Sequence, residues 1–199
     1  MAALRCHLLI GPPASGKTTI AALLAPLLDA ELLSTDLIRA ELYGDPMIQG
    51  HWSEVEERLH QAIQNSVASG RSVLIDATHA RRPWRLALSQ RLELDRPVEW
   101  IGWWLRTPRE VCLSWNQQRE RLVPELVIHQ FAAALDDAVF APDRSEGFAA
   151  LVDFDPSLGG DLRERLLEEQ GRLERRIAAA RNKERAKELH GYSRLLDLE

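Results

Sequence analysis

A three-layer α/β fold, with a doubly wound and mostly parallel sheet and a long C-terminal helix, is predicted from two features of this chain. Short apolar runs alternate with helical patterns along most of its length. The first of these runs also passes into the first helix through a glycine-rich turn, Gly11-Pro12-Pro13-Ala14-Ser15-Gly16-Lys17-Thr18. Strands separated by helices pair in parallel and are covered on both faces, and their ligands sit beyond the carboxyl ends of the strands.

Residues 4–10 read as the first strand because they close on Leu8-Leu9-Ile10. Helix 17–28 follows from the apolar pattern of Ile20 to Leu28, strand 31–34 ends at Ser34, and helices 36–42 and 52–69 come next. The run Ser72-Val73-Leu74-Ile75-Asp76 marks strand 72–77, a buried strand ending in a carboxylate. Helix 83–94 leads to strand 98–105, whose Trp100, Trp103 and Trp104 read as core or sheet-face packing. Thr107-Pro108, a cap followed by proline at the first helical position, opens helix 108–120, and Val123-Pro124 restarts the chain as helix 124–137. Strand 149–154 precedes helix 158–190, in which Leu158, Leu162, Leu166, Leu173 and Ile177 form one apolar stripe able to dock on the domain. The expected organisation is a domain over 1–157 and a helical extension over 158–199. Tyr192, Leu195, Leu196 and Leu198, beyond Gly191, suggest a surface for a partner chain or for a domain that once followed.

Composition limits the partners. With 30 Asp and Glu against 25 Lys and Arg the chain carries a net charge of −5, which argues against binding nucleic acid by bulk electrostatics. Any polyanion contact has to be local. No apolar run is long enough to span a bilayer, and the start of the chain leaves no room for a signal peptide. Cys6 and Cys112 read as packed thiols, so a cytoplasmic location is expected.

The glycine-rich turn matches GxxxxGK[ST] between a strand and a helix, which is the setting of a P-loop. Glycines let successive backbone N–H groups converge on one point, and the helix N-terminus adds positive potential. The P-loop NTPase fold, of the nucleotide-kinase type, is therefore expected, with ATP held by Gly11, Ala14, Ser15, Gly16, Lys17, Thr18 and Thr19. Lys17 is expected to reach the β- and γ-phosphates, and Thr18 with Asp76 to hold Mg²⁺.

Three further residues carry the expected chemistry. Asp36 follows the second strand with Arg39 one turn later on the same face. Capping by Ser34, Thr35 or Asp36 is one use of this segment, but beside a P-loop Asp36 suits a general base and Arg39 an acceptor clamp. Arg119, with Arg121 behind it, lies in a connection placed to neutralise charge on a transferring phosphoryl group. Arg81-Arg82-Pro83-Trp84-Arg85 interleaves charge with a ring, as a strand-end channel would, or as a helix start with Trp84 buried would. No His or Cys cluster has metal-ligand spacing.

These residues in this order resemble the P-loop kinases related to polynucleotide 5′-hydroxyl kinase, over residues 4 to about 155. The resemblance rests on the P-loop, Ser34-Thr35-Asp36 with Arg39, Val73 to Thr78, Asn116 with Arg119, Val123-Pro124 through Val127-Ile128, and Glu146-Gly147-Phe148. It implies that Asp36 activates a 5′-hydroxyl, that Arg39 contacts the acceptor phosphate and that Arg119 touches the nucleotide phosphates. Two positions depart from the family pattern: His79 closes the Asp76-Ala77-Thr78-His79 segment, and Trp115 stands where a lid arginine is usual, offering a flat face to an adenine or an acceptor base. The expected activity is ATP- and Mg²⁺-dependent transfer of the γ-phosphate to the 5′-hydroxyl of a nucleic acid. A small-molecule or aminoacyl-tRNA kinase of the same fold, or a regulatory module that binds ATP without turnover, are the alternatives.

Overall fold

The computed structural model describes residues 3–46 and 48–196, with the side chains of 188–196 outside the described set. Five strands form one sheet in the order β2-β3-β1-β4-β5, and every pairing is parallel. They are β1 (Leu4–Ile10), β2 (Ala30–Ser34), β3 (Ser72–Asp76), β4 (Val98–Leu105) and β5 (Phe148–Phe154). The helices are α1 (Lys17–Leu27), α2 (Thr35–Tyr43), α3 (Trp52–Ala68), α4 (Arg82–Leu86), α5 (Arg109–Gln117), α6 (Glu125–Asp136) and α7 (Leu162–Leu196). The central strand β1 has β3 on one side and β4 on the other, so the winding reverses beside it, the position where such sheets open a ligand crevice.

Each face of the sheet has its own core. Ile38, Val55, Leu59, Ile63 and Leu88 pack on one side against Cys6, Leu8, Val73 and Ile75. Ile20, Leu24, Leu166, Leu173 and Ile177 pack on the other against Leu9, Ile101 and Trp103. The tryptophans of β4 divide by strand parity. Trp100 and Trp104 join the first core, and Trp103 the second, where its indole N–H donates to His7 Nδ1 at 3.1 Å. Burial holds His7 neutral, pushed down to about 3.

Three expected elements differ. The helix expected over 83–94 is a short α4 followed by a π turn, Ala87–Arg91. The Ser89 hydroxyl has one proton between two acceptors, the carbonyl of Arg85 at 2.9 Å and that of Glu146 at 2.5 Å, so a long-range partner draws it away from its own helix where the helix widens. Helix 158–190 begins at Leu162 because Asp161 accepts from the N–H of Glu164 at 2.8 Å, so Leu158 stands exposed in the preceding turn, outside the stripe. Helix 108–120 starts at Arg109 with Pro108 as its cap, and Thr107 is not the cap. Its hydroxyl instead donates to the Ser15 carbonyl at 2.9 Å.

The first half of α7 is tied to the strands by its polar face as well. Arg5 of β1 bridges Glu99 of β4 and Glu174, and Glu99 also accepts from Arg181 at 2.6 Å. The side chains of Tyr192, Leu195 and Leu196, with Leu198, lie outside the described residues. No helix among the described residues is long and apolar enough to cross a membrane.

Candidate active site

The turn between β1 and α1 is shaped by backbone sign. Ala14 and Gly16 have φ of 60° and 88°, so the chain folds around a small concavity of N–H groups. A Cβ on Gly11 would lie 2.6 Å from Ser15 Oγ, which explains the glycine there. Ser15 is buried, and its Oγ has no hydrogen-bond partner. Lys17 curls back over the turn and donates from Nζ to the carbonyls of Pro12 at 2.6 Å and Gly11 at 3.1 Å. Burial pushes its ammonium down to about 8, against the opposing pull of Asp76 and Asp36.

Register brings the carboxylates level. Ser34 at the end of β2 pairs with Asp76 at the end of β3, so the residues beyond both strands meet at one edge of the sheet, next to the turn after β1. The Thr18 hydroxyl donates to Asp76 Oδ2 at 3.0 Å. Asp76 is raised above the ordinary carboxylate range by burial, with Lys17 and Thr18 opposing. Ser34 caps α2 by accepting from the Asp36 N–H at 3.3 Å, and this leaves the Asp36 carboxylate uncommitted to the helix end. That carboxylate accepts from Arg39 Nη1 at 2.9 Å, its own side chain 69% exposed and that of Arg39 only 11%.

One cavity of about 1140 Å³ joins these groups. Ala14, Gly16, Lys17, Thr18, Thr19, Asp36, Arg39, Asp76 and Arg119 all line it, whereas Gly11 and Ser15 support the turn from beneath. Asn116 closes the connection that carries Arg119: its amide donates to the Val123 carbonyl at 2.8 Å and accepts from the Val123 N–H at 3.0 Å. Trp115 lies against the turn, its ring 3.2 Å from the position of a Cβ on Gly16, with Pro156 beside it at 3.6 Å. His79 is buried at φ 42°, its Nδ1 3.0 Å from the carbonyl of Leu9, and burial pushes it down to about 4, so it is neutral and donates to that carbonyl.

The expected basic channel is absent from Arg81 to Arg85. Arg85 is fully buried, bidentate to Glu146 at 2.7 and 2.8 Å, and bonded to the carbonyls of His79 and Ala80. Arg82 also lies near Glu146, at 3.8 Å. Arg81 rests on the rings of Trp84 and Phe131. Arg85 is a structural anchor, because in the last turn of the short α4 it meets a buried carboxylate from the turn before β5.

The sequence points to helices 36–42 and 52–69 for the acceptor pocket but singles out no residue on helix 52–69. Trp52, Glu56 and His60 line the far wall of the cavity from α3, with Trp84 and Phe131 beside them. Their spacing of four residues along the helix was the available signal. The donor set at the other end fits a magnesium nucleotide: a concavity of N–H groups, one lysine, and a hydroxyl already bonded to a carboxylate. No group of three or more His, Cys, Asp or Glu able to hold a metal exists among the described residues.

The chain belongs to the AAA domain family, whose model matches residues 6–138. No curated protein matches it. Among solved structures it is similar to a protein of Chloroflexus aurantiacus j-10-fl put forward as a kinase, at 21% identity and a TM-score of 0.64, covering 87% of this chain and 98% of that one. A sugar kinase from Janibacter sp. HTCC2649 gives 22% identity and a TM-score of 0.58, over 84% and 92% of the two chains. Chaetomium thermophilum Kti12, solved with ADP-AlF3, gives 14% and 0.61, over 82% and 96%. These likenesses establish a P-loop kinase fold.

Proposed function

We propose that this protein is an ATP- and Mg²⁺-dependent kinase that transfers the γ-phosphate to a hydroxyl group. The observation that carries this reading is the shared cavity of Lys17, Thr18 and Asp36, with Asp36 released from capping by Ser34 and oriented by Arg39. A module that only held nucleotide would have no use for a carboxylate in that position. Asp36 accepts the proton of the acceptor hydroxyl as its oxygen attacks, and Lys17 and Arg119 offset charge on the phosphoryl group in flight. Thr18 and Asp76 are the residues that would hold Mg²⁺, whose chemistry would be to offset charge on the nucleotide phosphates.

Of the acceptor classes, a small molecule is favoured over a 5′ nucleic-acid end or an aminoacyl-tRNA. Of the arginines that would have tracked a strand, Arg85 is buried against Glu146 and none of Arg81, Arg82 and Arg85 lines the cavity. The sugar kinase fold relative points the same way. Catalysis would take place in the cytoplasm, where the nucleotide is available.

Incubation with γ-labelled ATP and a panel of 5′-hydroxyl DNA, RNA and small alcohols tests the reading. Label should appear on at least one alcohol, and Asp36→Asn should keep ATP binding while losing transfer by about 10²- to 10⁴-fold. Transfer to oligonucleotides alone would restore the 5′-end assignment. Unchanged turnover in Asp36→Asn would remove the base, and no transfer to any acceptor would favour the regulatory module.

A further inference from the structure

The acceptor end of the cavity has its own chemistry. Trp52, Glu56 and His60 follow one another at four-residue intervals on α3 and all face the cavity. The Trp52 ring lies 6.2 Å from that of Trp84, and the Trp84 ring 5.9 Å from that of Phe131, so three elements contribute to one aromatic wall. The Arg81 guanidinium, which does not line the cavity, covers the outer side of this wall at 5.3 Å from the Trp84 centroid and 5.8 Å from that of Phe131, so only the ring faces turned to the cavity are open to a ligand.

Glu56 is partly buried and makes no hydrogen bond or ion pair among the described residues. Two buried polar atoms of cavity residues, His60 Nε2 and Arg39 Nε, also have no partner. A carboxylate that shares a cavity lining with aromatic rings is matched best by an ammonium, which satisfies the charge and the quadrupoles together. Polyanions meet a like, repelling charge at Glu56.

From this arrangement we infer that the acceptor is a small hydroxyl compound bearing an organic ammonium group, held between Glu56 and the Trp52–Trp84–Phe131 wall. The inference rests on the kinase reading for the fate of the hydroxyl, but not for the binding of the cation.

Binding therefore tests it without turnover. Tryptophan fluorescence is followed in the full chain with a non-hydrolysable ATP analogue and Mg²⁺ present, using two matched pairs: choline against its uncharged isostere 3,3-dimethyl-1-butanol, and 2-deoxystreptamine against its N-acetylated form. The charged member of at least one pair should bind about tenfold tighter than the neutral one. Glu56→Gln should erase that ratio, and Glu56→Asp should restore part of it. Equal or weaker binding of the charged members, binding only of a 5′-hydroxyl oligonucleotide, or a ratio that survives Glu56→Gln would overturn the inference. Charge-dependent binding with no transfer to any alcohol would leave it standing and bring down the kinase reading instead.

Discussion

Lys17 links nucleotide affinity to pH in a direction that the geometry fixes. In the free protein its ammonium is held at about 8 instead of 10.5, because it is buried and rests on neutral carbonyl oxygens. A bound triphosphate replaces those partners with anionic oxygens, and the pKa returns towards its ordinary value. Binding therefore takes up a proton wherever Lys17 was deprotonated. For a return to 10.5, linkage gives an uptake of about 0.1 proton at pH 7 and about 0.9 at pH 9. Affinity should then fall about tenfold between those two pH values, and approach a tenfold loss per unit above 8. Calorimetry of an ATP analogue in two buffers of different ionisation enthalpy reads the proton count directly. Lys17→Arg, whose guanidinium does not titrate in this range, should bind with a flat profile. A flat profile in the parent protein, or proton release at pH 9, would refute the reasoning.

Two further outcomes follow from the site and its support. Arg119→Ala should slow single-turnover transfer by about 10³-fold or more while leaving the unfolding midpoint within experimental error, because the side chain is exposed; equal rates would move the role to Arg121. Glu146→Gln should lower stability by about 3–5 kcal/mol in urea, since it strands the fully buried Arg85, whereas replacing both by apolar residues of similar size should recover much of the loss.

The sheet was legible because its signals are local. Ser72 to Asp76 is buried along most of its length, so an uninterrupted apolar run could be nothing but a central strand. The alternation of α and β units then fixed the parallel pairing that the five strands adopt. Where reading failed, a long-range bond had overruled a local preference. Thr107 before a proline looks like a helix cap, yet the Ser15 carbonyl, 92 residues earlier, takes its hydroxyl. Residues 83–94 have a helical pattern, yet Ser89, held by the carbonyl of Glu146, turns the helix into a π segment.

The same division runs through the cavity. Its phosphate end is written in eight consecutive residues, since cradling an anion needs successive backbone N–H groups and so a contiguous motif. Its acceptor end is assembled from α2, α3, α4 and α6, and no sequence spacing relates Trp52 to Trp84 or Trp84 to Phe131. Recognition of a varied acceptor requires shape more than backbone, so the residues that confer it are free to come from anywhere the fold converges. Arg81 to Arg85 illustrates the cost of ignoring this: the five residues have the composition of a strand-binding patch, yet Arg85 became an anchor once Glu146 was brought beneath it. Composition reports which charges exist, and only the tertiary fold decides which of them remain unspent for a ligand, which is why Glu56, silent in the sequence, carries more information about the acceptor than the whole basic cluster.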